Sequence, residues 1–188
     1  MTRAGVTAAR VVEVASELIE EDGPGSLTLA KVAARLGVKT PSLYGHIQGI
    51  EAVRRAMALA AIGDLGEACR TAAMGKAGSD ALRAVAFAYR SVAATRTGTY
   101  SLTQVARPGD GEWEAASQRV LEPILAAMEG MGITGDEAIH ATRFLRSAVH
   151  GFISLESGGG FGLAVSVEDS FVRLVDGTIA GIEALASE

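Results

Sequence analysis

Apolar residues recur every three or four positions along almost the whole chain and nowhere alternate long enough to predict a strand. In the first segment Val6, Val11, Val14, Ala15, Leu18 and Ile19 form one stripe, which predicts a helix from Thr7 to Asp22. The following "EEDGPG" stops it, since Gly and Pro break a helix. A second, short helix follows through Leu36. Thr28 can cap it by accepting a backbone N–H, Leu29, Val32, Ala33 and Leu36 face inward, and Gly37 permits the left-handed turn that ends it. Thr40 suits an N-cap and Pro41 a first helical position, so a third helix starts there and has little more than a turn and a half before Gly49. From Ile50, "IEAVRRAMALAAIGDLGEACRTAAM" reads as one long helix.

The second half is also helical. Ser79 or Asp80 can start a helix with Leu82, Val85, Ala86, Tyr89, Val92 and Ala93 on one face, ending near "TRTGTY". Asp110 can cap another that carries Trp113, Val120, Leu121, Ile124, Leu125 and Met128, with a bend expected at the interior Pro123. Thr134 to Glu156 and Val167 to Ala186 are the last two, separated by "SGGGFG". The predicted fold is all-α. An N-terminal three-helix helix-turn-helix domain covers residues 1–49, and a C-terminal helical bundle covers 50–188.

Composition adds limits to this picture. The 188 residues are 48% hydrophobic and 21% charged, enough to bury a core, and the one cysteine, Cys69, cannot form an internal disulfide. The opening residues carry charges where a signal peptide needs an apolar stretch, and no uncharged apolar run reaches the roughly 18–20 residues needed to cross a bilayer. A cytoplasmic protein that does not enter the membrane is expected. The net charge of −5 argues against a nucleic-acid partner, but its distribution argues for one. Between positions 28 and 55, Lys31, Arg35, Lys39, Arg54 and Arg55 face only Glu51, a basic footprint on an acidic body.

That footprint coincides with the helix-turn-helix pattern. Val32, Ala33, Leu36, Val38 and Leu43 have the size to hold two helices at a fixed angle, which leaves Lys39, Thr40, Ser42, Tyr44, Gly45 and His46 outward. Thr28, Lys31 and Tyr44 suit phosphates, and Thr40 and Ser42 suit base edges. Singly each reads as a plain surface residue. Together, in this order, they predict binding to double-stranded DNA.

"LTLAKVAARLGVKTPSLYGHIQGIEAVRRAM" resembles the DNA-binding region of TetR-type (tetracycline-repressor-like) transcriptional regulators over about residues 7 to 58. The resemblance implies an all-helical homodimer on a palindromic operator, most often a repressor released by a small molecule in the C-terminal domain. Three positions depart from the family pattern: Ile47 where Phe is usual, Ile50 where many members have a phosphate-binding Lys, and Gly45 where a larger side chain is common. Lys39 stands where relatives often have Ser. "HGFISLESGGGFG" also resembles a C-terminal domain type marked by a Trp-His-Gly triplet, here Val149, His150 and Gly151.

The scattered aromatics and Pro123 predict an apolar effector cavity lined by Tyr89, Trp113, Phe144 and His150, with His150 or Tyr89 as polar anchor. The apolar surplus of the last two helices predicts a dimer interface at Phe171, Leu174, Thr178 and Ile182. No catalytic, metal or cofactor motif is recognisable: His140 and His150 lack ligand spacing, Cys69 has no nearby His, and neither a P-loop nor G-x-S-x-G occurs. Two alternatives stay open, a helical small-molecule-binding protein without operator function and a small helical enzyme.

Overall fold

Helix α1 (Ala8–Asp22) starts where the Thr7 hydroxyl accepts the Arg10 N–H at 3.2 Å, and it ends at Gly23, whose φ of 82° only glycine adopts readily. In this computed structural model residues 6–185 are described, so Ala186 lies outside them. After a 3-10 turn at Pro24–Ser26, the Thr28 hydroxyl caps α2 (Leu29–Leu36) by accepting the Lys31 N–H at 3.2 Å. Gly37, left-handed at φ 69°, closes α2, and the Val38 N–H returns to the Ala33 carbonyl at 3.0 Å.

The third element differs from expectation. Thr40–Gly45 winds as a 3-10 helix rather than an α-helix, its N-cap is Lys39 rather than Thr40, and no side chain caps it. The tight winding has a local cause. The element is only six residues long, a length suited to i to i+3 bonds such as Ser42 N–H to the Lys39 carbonyl at 2.9 Å. Its inner side is still fixed by packing: Leu43 is fully buried with Val11, Val14, Ala15, Leu18, Val32 and Met57.

Helix α3 (Ile50–Ala73) is continuous, followed by α4 (Gly78–Thr95), α5 (Thr97–Leu102), α6 (Gly111–Glu129), α7 (Gly135–Ser157) and α8 (Val167–Leu185). No strand occurs among the described residues. Asp110 caps α6 as the sequence predicts, its Oδ1 accepting the Trp113 N–H at 3.2 Å, and Pro123 lies inside that helix. Helix α5 has no counterpart in the sequence reading. The chain divides into two compact units: residues up to Ile62 with Arg96–Trp113, and Gly63–Thr95 with the chain from Glu114.

In the second unit α7 packs on α8 and α4. Phe171 of α8 is fully buried, 5.1 Å from the rings of both Phe87 and Phe152. The Arg90 guanidinium lies 4.5 Å over the Phe171 ring and binds Glu156 through two bonds of 2.6 and 2.9 Å and Glu168 at 2.5 Å. One side chain thus ties α4 to the end of α7 and the start of α8, and these bonds hold the Glu156 carboxyl below its ordinary pKa. Arg90→Ala is expected to cost about 1–2 kcal/mol and lower Tm by about 3–6 °C in a thermal melt, because a partly buried carboxylate loses its partner. A variant melting with wild type would show the pair to be idle. Cys69 is buried, and burial pushes its thiol up to about 12, so the thiolate needed for reactivity is not formed near neutrality.

Candidate nucleic-acid interface

Packing of Val32, Ala33 and Leu43 inward turns the other side of α2 and of the 3-10 helix outward. Thr28, Lys31, Lys39, Ser42, Tyr44 and His46 are exposed, Tyr44 at 61%, and Thr40 is half-buried. All seven residues expected at DNA therefore stand on α2, the turn and the 3-10 helix, within nineteen sequence positions. A Cβ added at Gly45 would meet nothing within 4 Å, so this surface carries a gap where the backbone itself is presented. Ile47, the departure from the usual Phe, is a core residue at 9% exposure.

The basic footprint is smaller than the sequence implies. Lys31 Nζ lies 3.0 Å from Asp22, and Arg35 makes two bonds to Glu21 at 3.1 and 2.6 Å. Arg54 lies 3.7 Å from Glu51, and Arg55 binds Asp110 twice at 2.6 Å and Glu112 at 2.7 Å. Those hydrogen bonds pull the Asp110 carboxyl down to about 2. Of the five cations counted in this stretch, only Lys39 makes no ion pair among the described residues. The sequence count went astray because the counter-charges come from outside the counted stretch, at Glu21, Asp22, Asp110 and Glu112. Lys31 is thus a brace between α1 and α2 in the unbound chain, and it reaches a phosphate only by leaving Asp22. That exchange is cheap, because exposed pairs contribute about 0–1 kcal/mol.

The residues expected to line an effector cavity are not brought together as one lining. Trp113 is buried and belongs to the first unit, with the Arg107 guanidinium 5.1 Å over its ring. Tyr89 is buried and His150 half-buried in the second unit, and burial together with Arg146 pushes the His150 pKa down, favouring neutral imidazole. Phe144 is 45% exposed and lies over Gly181, its Cε1 3.3 Å from where a Cβ would stand. An open groove of about 480 Å³ on this unit is lined instead by Lys76, Asp80, Arg83, Ala84, Phe87 and Val172, none of which the sequence analysis placed at a ligand site.

The expected dimer residues also need correction. Phe171, Thr178 and Ile182 are buried inside the single chain and Leu174 is half-buried, so the apolar stripe of α8 is spent on its own unit. Helical periodicity identifies which stripe is apolar but not which neighbour covers it. The outward stripe of α8 carries Arg173, Gly177, Ala180 and Ala184, while α7 exposes Phe144, Ser147 and Leu155. No group of three or more potential metal ligands is assembled among the described residues, and no described helix is long and apolar enough to cross a membrane.

A helix-turn-helix with a polar outward 3-10 helix, joined to a separate helical unit, defines a DNA-binding regulator of the all-helical class. Residues 11–57 match the family described as bacterial regulatory proteins, tetR family, and residues 82–178 match the tetracyclin repressor-like C-terminal domain. The chain belongs to the tetR family of bacterial regulatory proteins. It is 36% identical over 151 residues to the uncharacterized HTH-type transcriptional regulator Rv0681 of Mycobacterium tuberculosis, covering 79% of this chain and 69% of that one. It is 30% identical over 154 residues to the uncharacterized HTH-type transcriptional regulator YobS of Bacillus subtilis, covering 81% and 80%. Among solved structures, a protein of unknown function from Rhodococcus sp. RHA1 superposes with a TM-score of 0.79 at 20% identity, over 94% of this chain and 95% of that chain. A TetR variant from Acinetobacter baumannii AYE in complex with minocycline superposes with a TM-score of 0.74 at 25% identity, over 98% and 100%. The chain is a transcriptional regulator, not an enzyme.

Proposed function

We infer that the protein acts as a cytoplasmic homodimeric repressor that binds a palindromic operator and leaves it when a small, largely apolar effector occupies the C-terminal unit. The observation that carries this reading is the outward set Lys39, Thr40, Ser42, Tyr44 and His46 on an element whose inner side is locked by Leu43. Tyr44 and Thr28 would meet phosphates, with Lys31 joining them on release from Asp22, and Thr40 and Ser42 would read base edges. Dimerisation is assigned to the outward stripes of α7 and α8. Phe144 and Leu155 supply exposed apolar area there, and Gly177, Ala180 and Ala184 let a second helix approach closely. The structurally similar minocycline complex supports a ligand role for the second unit, where Tyr89 and His150 are the polar side chains for an otherwise apolar molecule.

The test is selection of duplexes from a random pool by the purified full-length protein. The expected winner is a palindrome whose half-sites lie about 10–10.5 bp apart or at a multiple of that spacing. Winners without symmetry would remove the dimeric operator. A pool that yields no preferred duplex at low salt would leave a small-molecule binder in its place.

A further inference from the structure

Thr142 sits on the buried stripe of α7 with Ala138, Leu145 and Val149, and only 8% of it is exposed. Its Oγ1 is buried and has no hydrogen-bond partner in the chain. A hydroxyl inside a helix ordinarily folds back onto the carbonyl four residues earlier. Other helices of this chain show that arrangement: Ser16 donates to the Val12 carbonyl at 3.0 Å, Thr95 to the Ser91 carbonyl at 2.9 Å, and Thr178 to the Leu174 carbonyl at 2.7 Å. Thr178 is the closest comparison, since it is buried like Thr142, at 5% exposure, and belongs to α8, which packs on α7. Thr142 does not use the Ala138 carbonyl, so its hydroxyl is turned off its own helix and into the interior of the second unit.

A buried hydroxyl without a partner destabilises the chain that carries it, and the same group becomes favourable once a ligand supplies the missing bond. Its surroundings limit what that ligand can be. Among the described residues no Asp, Glu, Lys, Arg or His is buried, so a carboxylate, phosphate or ammonium enclosed beside Thr142 would find no counter-charge there. Ala138, one turn earlier, and Ala141 are its small neighbours on α7, so this helix places little bulk around the hydroxyl. We propose that Thr142 is the buried hydrogen-bonding point for the effector of the second unit, and that this effector is an uncharged, largely apolar molecule bearing a carbonyl or hydroxyl group. The proposal rests on the ligand-binding reading above and narrows it. A threonine hydroxyl can donate to a ligand carbonyl or accept from a ligand hydroxyl, whereas a charged ligand of the same shape is rejected.

Three probes of nearly one shape separate these properties: acetophenone with a carbonyl, ethylbenzene with a methylene in its place, and benzoate with a charge. The readout is an NMR titration of the full-length protein labelled at its threonine methyl groups, the Thr142 signal being identified by its loss from Thr142→Val. In the wild type, acetophenone should shift that signal with saturation and bind about 3–10-fold tighter than ethylbenzene, the advantage of one neutral hydrogen bond. Benzoate should leave the signal in place. Thr142→Val matches the shape of the side chain without its hydroxyl, and binding to it is followed on the remaining threonine methyls. It should bind ethylbenzene as the wild type does, lose the preference for acetophenone, and melt at or above the wild-type temperature, because an unsatisfied group is gone. Thr142→Ser retains the hydroxyl and should retain the preference. A Thr142→Val chain that still prefers acetophenone overturns the proposal. So does one that melts several degrees lower, since the hydroxyl is then satisfied by internal water in the free chain. A wild type that binds acetophenone and ethylbenzene alike keeps the ligand-binding reading and sinks the role assigned to Thr142. Binding of neither probe removes the ligand-binding reading itself, and is seen before any variant is made.

Discussion

Phe171→Ala is expected to cost about 3–5 kcal/mol and to lower Tm by about 10 °C, with no change of assembly state. The ring is fully buried, touches Phe87 and Phe152, and carries the Arg90 guanidinium on its face, so its removal leaves a cavity beneath a charged group. Ala180→Glu should behave in the opposite way. Ala180 is exposed on the outward stripe of α8, and a carboxylate there leaves the chain's own core untouched. Its helical circular dichroism should match wild type while sedimentation at micromolar concentration shows monomers. The pair of variants separates two roles for one helix. A Phe171→Ala chain that melts like wild type but sediments as a monomer would return the dimer interface to the buried stripe.

The second large effect concerns DNA. Lys39→Ala should weaken binding to every duplex and reduce the slope of log affinity against log salt by about 0.9, the contribution of one phosphate contact. Tyr44→Ala should weaken all duplexes about tenfold, whereas Thr40→Ala or Ser42→Ala should shift base preference by about 1–3 kcal/mol at single positions. Arg35→Ala provides the contrast, because Arg35 already has a two-bond partner in Glu21 and no place among the expected DNA contacts. It should leave the salt slope nearly unchanged. The measurement is a titration of the selected duplex and a scrambled one at several salt concentrations. An Arg35→Ala slope reduced as much as that of Lys39→Ala would mean that the Glu21 pair is given up on DNA.

Elements set by local chemistry could be read from the residues alone. Thr28 caps the helix it precedes, Gly37 turns the chain after α2, Asp110 caps α6, and the apolar stripes face inward as their spacing predicts. What could not be read depends on partners distant in sequence. Helix α5 has no side-chain cap of its own: its Gly98 and Thr99 N–H groups donate at 2.8 Å to the Glu20 carboxylate, 78 and 79 positions away, and nothing in "TGTYSL" announces that. The ion pairs that shrink the basic footprint are a middle case. "EED" at positions 20–22 is visible beside the basic stretch, but which carboxylate meets which cation is decided by the α1–α2 packing angle. The stripe of α8 was recognised as apolar and expected at a partner subunit, whereas Phe171, Thr178 and Ile182 are covered within the single chain, since a helical period says nothing about whether the covering surface belongs to the same chain.

The first unit is not one stretch of polypeptide: it takes residues up to Ile62 and then borrows Arg96–Trp113 from further along. Leu102, within the borrowed piece, packs against the helix-turn-helix core. The reader head is therefore not a detachable cassette. A chimera spliced after residue 49, or even after Ile62, would join one protein's α1 to another protein's α5, and the fit of Glu20 against Gly98 and Thr99 would have to be met by a stranger's side chains. Such a hybrid inherits an operator preference without the seat on which that preference rests, and exchange of recognition specificity between relatives is expected to tolerate changes within Lys39–His46 far better than exchange of the whole N-terminal block.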